Sequence, residues 1–238
     1  MATAAFRAVG TAANTETTTL ALVAPTLVSG DILFAWIVSR NNTALSPLEG
    51  GWALIYDEAN TAAMQSYLAW RRAGSADSGA TFGWTVAGTS VSLGALVAYS
   101  GVIQGGRPYT RTTISNNASS DNVTYATLTP ASSGLIVAFG SYGEDLATAD
   151  TFTGTDPTFA ERLDASVDGT TTDASLYIHD GLGSGAATGA RTCATASTTD
   201  AVSQGIFLDL ISNPESGGAS GEAGTTYARV SRTRAEGR

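Results

Sequence analysis

The chain has 238 residues, a formal net charge of −9 and only 14% charged residues. This acidic balance makes it a poor candidate for nucleic-acid binding, because phosphate contacts need clustered Lys and Arg side chains. A single cysteine excludes an internal disulfide, and no apolar run approaches the roughly 18 residues of a membrane-spanning helix.

Short apolar runs bounded by turn residues recur along the chain. The first is TTTLALVAP, and the second, GDILFAWIV at 30–38, is apolar almost throughout, which is typical of a central strand buried on both faces. The later runs are GWALIYD, QSYLAWRR, ATFGWTVAG, VSLGALVAYSGV, GLIVAFGSYG, ASLYIHDG, GARTCATA and GIFLDLIS. All are rich in Val, Ile, Thr and aromatic residues, so about a dozen strands are predicted.

One segment, DEANTAAMQSYLAWRRAG, also has a spacing compatible with a helix, with Met64 and Leu68 on one face. Its aromatic residues Tyr67 and Trp70 and its strand-like neighbours favour a loop followed by a strand. Regularly spaced strands without helices predict an all-β fold, an antiparallel β-sandwich of jelly-roll type over 1–211. The sequence shows no internal repeat of fixed period.

Two long polar segments and the C-terminal region interrupt this pattern. Residues 105–122 and 143–175 are expected to be surface loops or irregular edge strands, where binding residues vary most freely. Residues 212–238 begin as a Gly/Ser-rich linker. They end in a basic stretch with four arginines and one glutamate in the last ten residues. We therefore predict an extended C-terminal arm at 212–238.

Chemically reactive side chains are few. The single histidine, His179, precedes Asp180 on a predicted strand, where neighbours point to opposite faces, so the two do not form a catalytic pair. Cys193 lies in an alternating strand and is expected to be buried, without an adjacent base to activate it. The glycine-rich segment 181–190 lacks the context of a phosphate-binding loop and is interpreted as a hairpin loop.

Acidic residues are concentrated in one region, at Glu144, Asp145, Asp150 and Asp156. They are interpreted as solvated loop carboxylates, with a structural Ca²⁺ site or a catalytic carboxylate pair as alternatives. No catalytic residue, cofactor site or metal site is predicted. A second alternative concerns the aromatic residues, which could form a sugar-stacking platform but fit core positions better; they are Trp36, Trp52, Trp70, Trp84, Tyr67 and Tyr99.

The order of several motifs resembles a known family. The runs LVSGDILFAWIV, SPLEGGWALI, YLAWRRAG, TFGWTVAG and GALVAYSGV resemble jelly-roll β-sandwich structural proteins of tailed bacteriophages and related bacterial surface modules. SSGLIVAFGSYG and SQGIFLDLI resemble the second half of the same module, so the resemblance covers 18–211. Its motif positions Asp31, Gly51, Trp52 and Gly101 fit turns and core. The turn after Pro47 is longer than in the family pattern.

The resemblance implies a non-enzymatic virion protein, a capsid decoration or stabilising protein or a head- or tail-attached fibre component. We expect synthesis in the host cytoplasm without a signal peptide, and a homo-oligomer that contacts major capsid or tail proteins through its arm. The expected arm contacts are Tyr227, Arg229, Arg232, Arg234 and Arg238. An arm that packs on its own body remains an alternative. So does a glycan-binding adhesion module of a phage tail or cell surface, which would show an exposed aromatic side chain beside polar loop residues.

Overall fold

The computed structural model describes residues 3–130, 134–144, 151–154, 156–170, 172–195 and 201–213. Within these ranges the chain forms eighteen strands and no helix, and every pairing is antiparallel. The prediction of an antiparallel all-β fold is therefore confirmed. The strands are β1 (Ala5–Val9), β2 (Ala13–Thr15), β3 (Thr19–Val23), β4 (Ile32–Arg40), β5 (Leu45–Pro47), β6 (Ala53–Asn60), β7 (Met64–Arg72), β8 (Thr81–Val86), β9 (Ser92–Ser100), β10 (Tyr109–Arg111), β11 (Ser115–Ser120), β12 (Asn122–Tyr125), β13 (Leu135–Tyr142), β14 (Thr151–Phe152), β15 (Ala160–Val167), β16 (Ala174–Leu182), β17 (Arg191–Ala194) and β18 (Ala201–Leu210).

These strands form four stacked sheets. Inner sheet 1 has the order β1-β9-β4-β7-β6, with β2 also beside β9, and outer sheet 1 has the order β3-β8-β5. Inner sheet 2 has the order β10-β18-β13-β16-β15, with β11 also beside β18, and outer sheet 2 has the order β12-β17-β14. Apolar clusters join each outer sheet to its inner sheet and join the two inner sheets face to face.

The position of β4 in the fold explains why the run at 30–38 is apolar on both faces of the strand. Phe34 and Trp36 enter the central cluster between the inner sheets, whereas Leu33 and Ile37 enter the cluster beneath outer sheet 1. Both faces of this strand are therefore buried, as the sequence predicted. The central layer also contains polar contacts: the Trp36 indole N–H donates to the Gly140 carbonyl oxygen at 2.8 Å.

The segment with an ambiguous helical spacing is confirmed as strand, since Met64–Arg72 forms β7. One detail differs from the prediction: 57–60 is not a loop but the end of β6, and a tight turn at 61–63 joins the two strands. Thr61 has a positive φ of 58° in that turn. β7 packs on both faces, with Leu68 in the central cluster and Tyr67 in the cluster beneath outer sheet 1, and this two-sided packing outweighs the short helical periodicity.

The second half of the chain repeats the topology of the first half. Adding nine to each strand number of inner sheet 1 gives the strand order of inner sheet 2, and the same operation relates the outer sheets. We call 5–100 unit 1 and 109–210 unit 2. Each unit is a two-sheet sandwich, and the units pack through their inner sheets.

The repeat extends to the register of individual residues. In unit 1, one row across the inner sheet contains Gly94, Ile37, Tyr67 and Asp57. In unit 2, the corresponding row contains Gly205, Gly140, Tyr177 and Asp164. Both outer strands carry a bulge in the same place, between Leu54 and Tyr56 in β6 and between Glu161 and Leu163 in β15.

The spacing of equivalent residues explains why no fixed period is visible in the sequence. Ile37 and Gly140 are 103 positions apart, whereas Gly94 and Gly205 are 111 positions apart. Connections of different length in the two units cause this drift. Only the strand pairing aligns the two halves.

Candidate functional site

Two surface grooves lie where the lateral edges of the inner sheets meet. Groove 1 is formed by β1 of unit 1 and β15–β16 of unit 2, has a volume of about 770 Å³ and is lined by Phe6, Arg162, Asp180 and Leu182, among others. Groove 2 is formed by β6 of unit 1 and the β10–β11 region of unit 2 and has a volume of about 460 Å³. The topological repeat relates the two seams, and Ile55 of groove 2 corresponds to Arg162 of groove 1.

Groove 1 contains an ion pair between neighbouring strands. Nε and Nη2 of Arg162 lie 2.9 Å and 2.7 Å from Oδ1 of Asp180. The Asp180 side chain is 1% exposed, whereas that of Arg162 is 30% exposed. Arg162 is the extra residue of the β15 bulge, and such a bulge redirects a side chain out of the regular alternation of the strand.

Two aromatic rings complete this cluster. The Arg162 guanidinium lies 4.4 Å from the centre of the Phe6 ring, which contacts Tyr99 edge to face at 6.0 Å. Burial, and secondarily the Asp180 charge, hold the pKa of the Tyr99 hydroxyl well above its usual range. Hydrogen bonding to Asp180 raises the pKa of Arg162. The cluster therefore keeps a charged guanidinium beside a neutral phenol.

The seam beside groove 2 has a different chemistry at the equivalent positions. The register places Tyr109, Trp70 and Ile55 where groove 1 has Phe6, Asp180 and Arg162, and of these three Ile55 lines groove 2. Trp70 and Tyr109 are in edge-to-face contact at 6.3 Å, and Ile55 is buried. The scaffold thus accepts an apolar cluster where groove 1 has an ion pair.

His179 and Asp180 lie on opposite faces of β16, as the sequence predicted. Asp180 faces groove 1, whereas His179 is buried toward outer sheet 2, with its ring 4.9 Å from that of Phe152. Burial lowers the pKa of His179 to about 4. Cys193 is fully buried in the apolar cluster beneath outer sheet 2, which confirms the expected burial of this thiol.

The acidic region and the glycine-rich loop contact each other. The Asp156 carboxylate accepts hydrogen bonds from the backbone N–H of Ser184, at 3.1 Å, and from its hydroxyl. These bonds lower the pKa of Asp156. Asp145 and Asp150 lie outside the described residues. Among those described, no group of three or more His, Cys, Asp or Glu side chains could hold a metal ion.

The six aromatic residues considered for sugar stacking do not form one exposed platform. Trp36 and Tyr99 are fully buried in the central cluster, and Trp84 is fully buried beneath outer sheet 1. Tyr67 belongs to the same cluster as Trp84. The two partly exposed members are separated: Trp52 packs on Phe82 and Trp84 in unit 1, whereas Trp70 contacts Tyr109 of unit 2.

The expected arm contacts Tyr227, Arg229, Arg232, Arg234 and Arg238 lie outside the described residues. The described chain ends at Asn213, whose N–H donates to the Gly101 carbonyl oxygen at 2.8 Å. The preceding Ser212 hydroxyl accepts a hydrogen bond from the N–H of Ala4, a residue that lines groove 1. Ser212, at the end of the described chain, therefore lies beside groove 1.

Sequence reasoning missed the groove 1 cluster. Phe6 lies in a run that was not recognised as a strand, and Arg162 lies in the polar segment that was expected to be loop or edge. A single arginine in a polar segment carries no recognisable signal. Only the pairing of β15 with β16 brings it to Asp180.

The described residues include no helix of the length and apolarity needed to cross a membrane. No family model, no curated protein and no solved structure matches the chain.

Proposed function

We propose that the chain is a non-enzymatic bacteriophage virion structural protein, a capsid decoration or stabilising protein or a head- or tail-attached fibre component. In this proposal it is built from two jelly-roll units and assembles through 212–238. Its partners are further copies of itself and other virion proteins, namely major capsid or tail proteins. The observation that carries the proposal is the strand order, repeated in two fused units.

The pairing within each unit supports the jelly-roll assignment. In unit 1, β1 pairs with β9, β3 with β8 and β4 with β7, so strands from one end of the unit pair with strands from the other end. These pairs alternate between the inner and outer sheets, as when a long antiparallel ribbon folds over itself. Unit 2 has the same pairs. Double-sheet jelly rolls are typical of viral capsid proteins and of lectins.

The sheet edges support assembly through the arm rather than through strand addition. The outer edge strands β6 and β15 both contain a bulge and charged side chains, among them Asp57 and Arg162. The opposite edges are divided into short strands of three to six residues. Such edges disfavour pairing with another sheet. Arm arginines can instead bind carboxylates on an acidic neighbouring copy.

The experiment that tests this proposal is the solution mass, measured by light scattering, of the full-length chain and of a truncation that ends at Ser212. We expect an oligomer for the full-length chain and a monomer for the truncation. A matched control keeps the chain length and replaces only the charges, with Arg229, Arg232, Arg234 and Arg238 each changed to Gln. Monomers in all three cases, without affinity for virion subunits, would contradict the proposal.

A glycan-binding adhesion module is the second candidate function, and groove 1 favours it. Jelly-roll sandwiches also occur as lectins, and this groove combines an aromatic ring with charged side chains at an open surface. A glycan array probed with the full-length chain, read together with the solution mass, distinguishes the two candidates. Binding to defined glycans by a monomeric chain supports the adhesion module.

A further inference from the structure

The ion pair of groove 1 is not required by the fold. A buried ion pair gains little stability over apolar residues of similar volume, because both charges lose their hydration. Here the molecule provides the comparison itself, since unit 1 places Ile55 and Trp70 at the equivalent positions of the same topology. A charged pair kept in a surface groove of about 770 Å³ therefore points to a ligand.

The more exposed member of the pair determines the charge of that ligand. Asp180 is almost fully buried and faces Arg162 with one carboxylate oxygen, whereas Arg162 keeps about a third of its surface accessible. Nε and Nη2 of Arg162 are held by Asp180, and Nη1 has no hydrogen-bond partner among the described residues. Phe6 covers the guanidinium. The donor group is thus fixed in orientation before any ligand arrives, which favours a planar oxyanion such as a carboxylate.

We propose that groove 1 binds the carboxylate of an acidic saccharide, with Arg162 as the residue that pairs with the carboxylate. The volume of about 770 Å³ lies within the usual range for small-ligand sites. Thr3 and Thr158 line the same groove and provide hydroxyl groups to an otherwise small-residue wall.

An acidic peptide fits this groove less well. Extended peptides bind most readily by adding a strand to a sheet edge. The edge strands at groove 1 are β15 and β1, and a bulge in each, at Arg162 and at Arg7, interrupts the regular row of backbone donors and acceptors. A sugar ring does not need a regular row of backbone donors and acceptors. A saccharide is therefore the ligand class that the edge geometry favours.

This site does not depend on assembly through the arm. Groove 1 lies entirely in the described body of the chain, so its ligand should bind to the Ser212 truncation as well as to the full-length protein. Failure of arm-mediated assembly leaves saccharide binding intact, and absence of saccharide binding leaves the light-scattering result intact.

The test is a titration of the ¹⁵N-labelled full-length chain with D-glucuronic acid, followed by NMR chemical shifts. D-Glucose, acetate and N-acetylglutamate amide are titrated in parallel. We expect saturable shifts at Phe6, Arg162 and Leu182 with glucuronic acid, and binding at least tenfold weaker with the other three probes. The double variant Arg162→Ile with Asp180→Leu should bind glucuronic acid at least tenfold more weakly, while its circular dichroism spectrum stays unchanged. Arg111→Gln, which alters an arginine of groove 2, should bind as the unmodified chain does.

Each other result overturns a stated part of the proposal. No binding of glucuronic acid, or shifts outside groove 1, overturns the site. Equal binding of glucose overturns the role of the carboxylate, and equal binding of acetate or stronger binding of N-acetylglutamate amide overturns the saccharide. If the double variant does not fold, the position of the shifts in the unmodified chain decides the matter.

Discussion

Units 1 and 2 have the same strand order and the same register, yet they differ in the residues that face the grooves and the outer sheets. The shared row keeps Gly, Tyr and Asp at equivalent positions, at Gly94 and Gly205, Tyr67 and Tyr177, and Asp57 and Asp164. Outside that row, Ala69 of unit 1 corresponds to His179 of unit 2, and Trp70 corresponds to Asp180. The topology therefore requires the same residue type at only a few positions, and the other positions can differ between the two units.

The largest expected difference concerns the shared glycines. A Cβ at Gly205 would lie 2.3 Å from the backbone oxygen of Thr124, whereas one at Gly94 would meet only side-chain atoms, the nearest at 3.0 Å on Ile37. Backbone of a paired strand cannot move away as a side-chain end can. We expect Gly205→Ala to lower the free energy of unfolding by about 3 kcal/mol and Gly94→Ala by about 1 kcal/mol. Urea denaturation of both variants measures this. Equal losses of unfolding free energy in the two variants would show that the surroundings of Gly205 and Gly94 relax equally well around an added methyl group.

The next difference concerns the buried histidine of unit 2. Its pKa in the folded chain, about 4, is below the ordinary value of 6.5, so the unfolded chain binds the proton more strongly. Stability is therefore complete above pH 6.5 and falls as the pH decreases toward 4. We expect a loss of about 2 kcal/mol between pH 8 and pH 5 from His179.

His179→Leu should remove this component, because leucine has no proton to titrate. The two imidazole nitrogens have no hydrogen-bond partner among the described residues, so the substitution breaks no hydrogen bond described there. Denaturation midpoints of both proteins across pH 5–8 measure the change. The two proteins should differ in the slope of stability against pH. Parallel curves would place the acid sensitivity elsewhere in the molecule.

The smallest expected difference concerns the shared aspartates. Asp57 accepts a hydrogen bond from the Gln65 amide, whereas Oδ1 of Asp164 is buried without a partner among the described residues. Burial, and secondarily the charge of Glu161, raise the pKa of Asp164 to about 6. Its contribution to stability is thus present at low pH and is lost as the pH rises through 6.

Asp164→Asn should therefore stabilise the protein at pH 8 and not at pH 4, by less than about 1 kcal/mol because this side chain is only partly buried. Asp57→Asn is the matched control, and we expect no stabilisation from it, because the Asp57 carboxylate is exposed and already accepts the Gln65 hydrogen bond. Thermal unfolding at both pH values compares the variants. Equal behaviour of the two variants would contradict the assigned difference in environment.

Much of the strand content could be predicted from residue types alone. Runs such as those of β4, β9 and β13 are apolar, β-branched and bounded by turn residues, and this local chemistry determines strand formation. The opposite orientation of His179 and Asp180 followed from the alternation of a strand. Strand β1 and the last residues of β6 were not predicted, because short polar or mixed runs have a weak β-strand propensity.

What the sequence by itself determined is the all-β class, the burial of β4 on both faces and the burial of Cys193. These properties depend on alternation and on side-chain type within a few residues of the chain. Only the tertiary structure decided the two-unit repeat and the groove 1 cluster, because both arise from pairing between distant strands. Arg162 meets Asp180 across a bulged strand pair, and Phe6 of the other unit packs on Arg162 across the seam. No local sequence pattern predicts these contacts, because the three residues lie on strands that are far apart in the chain and are separated by connections of unequal length.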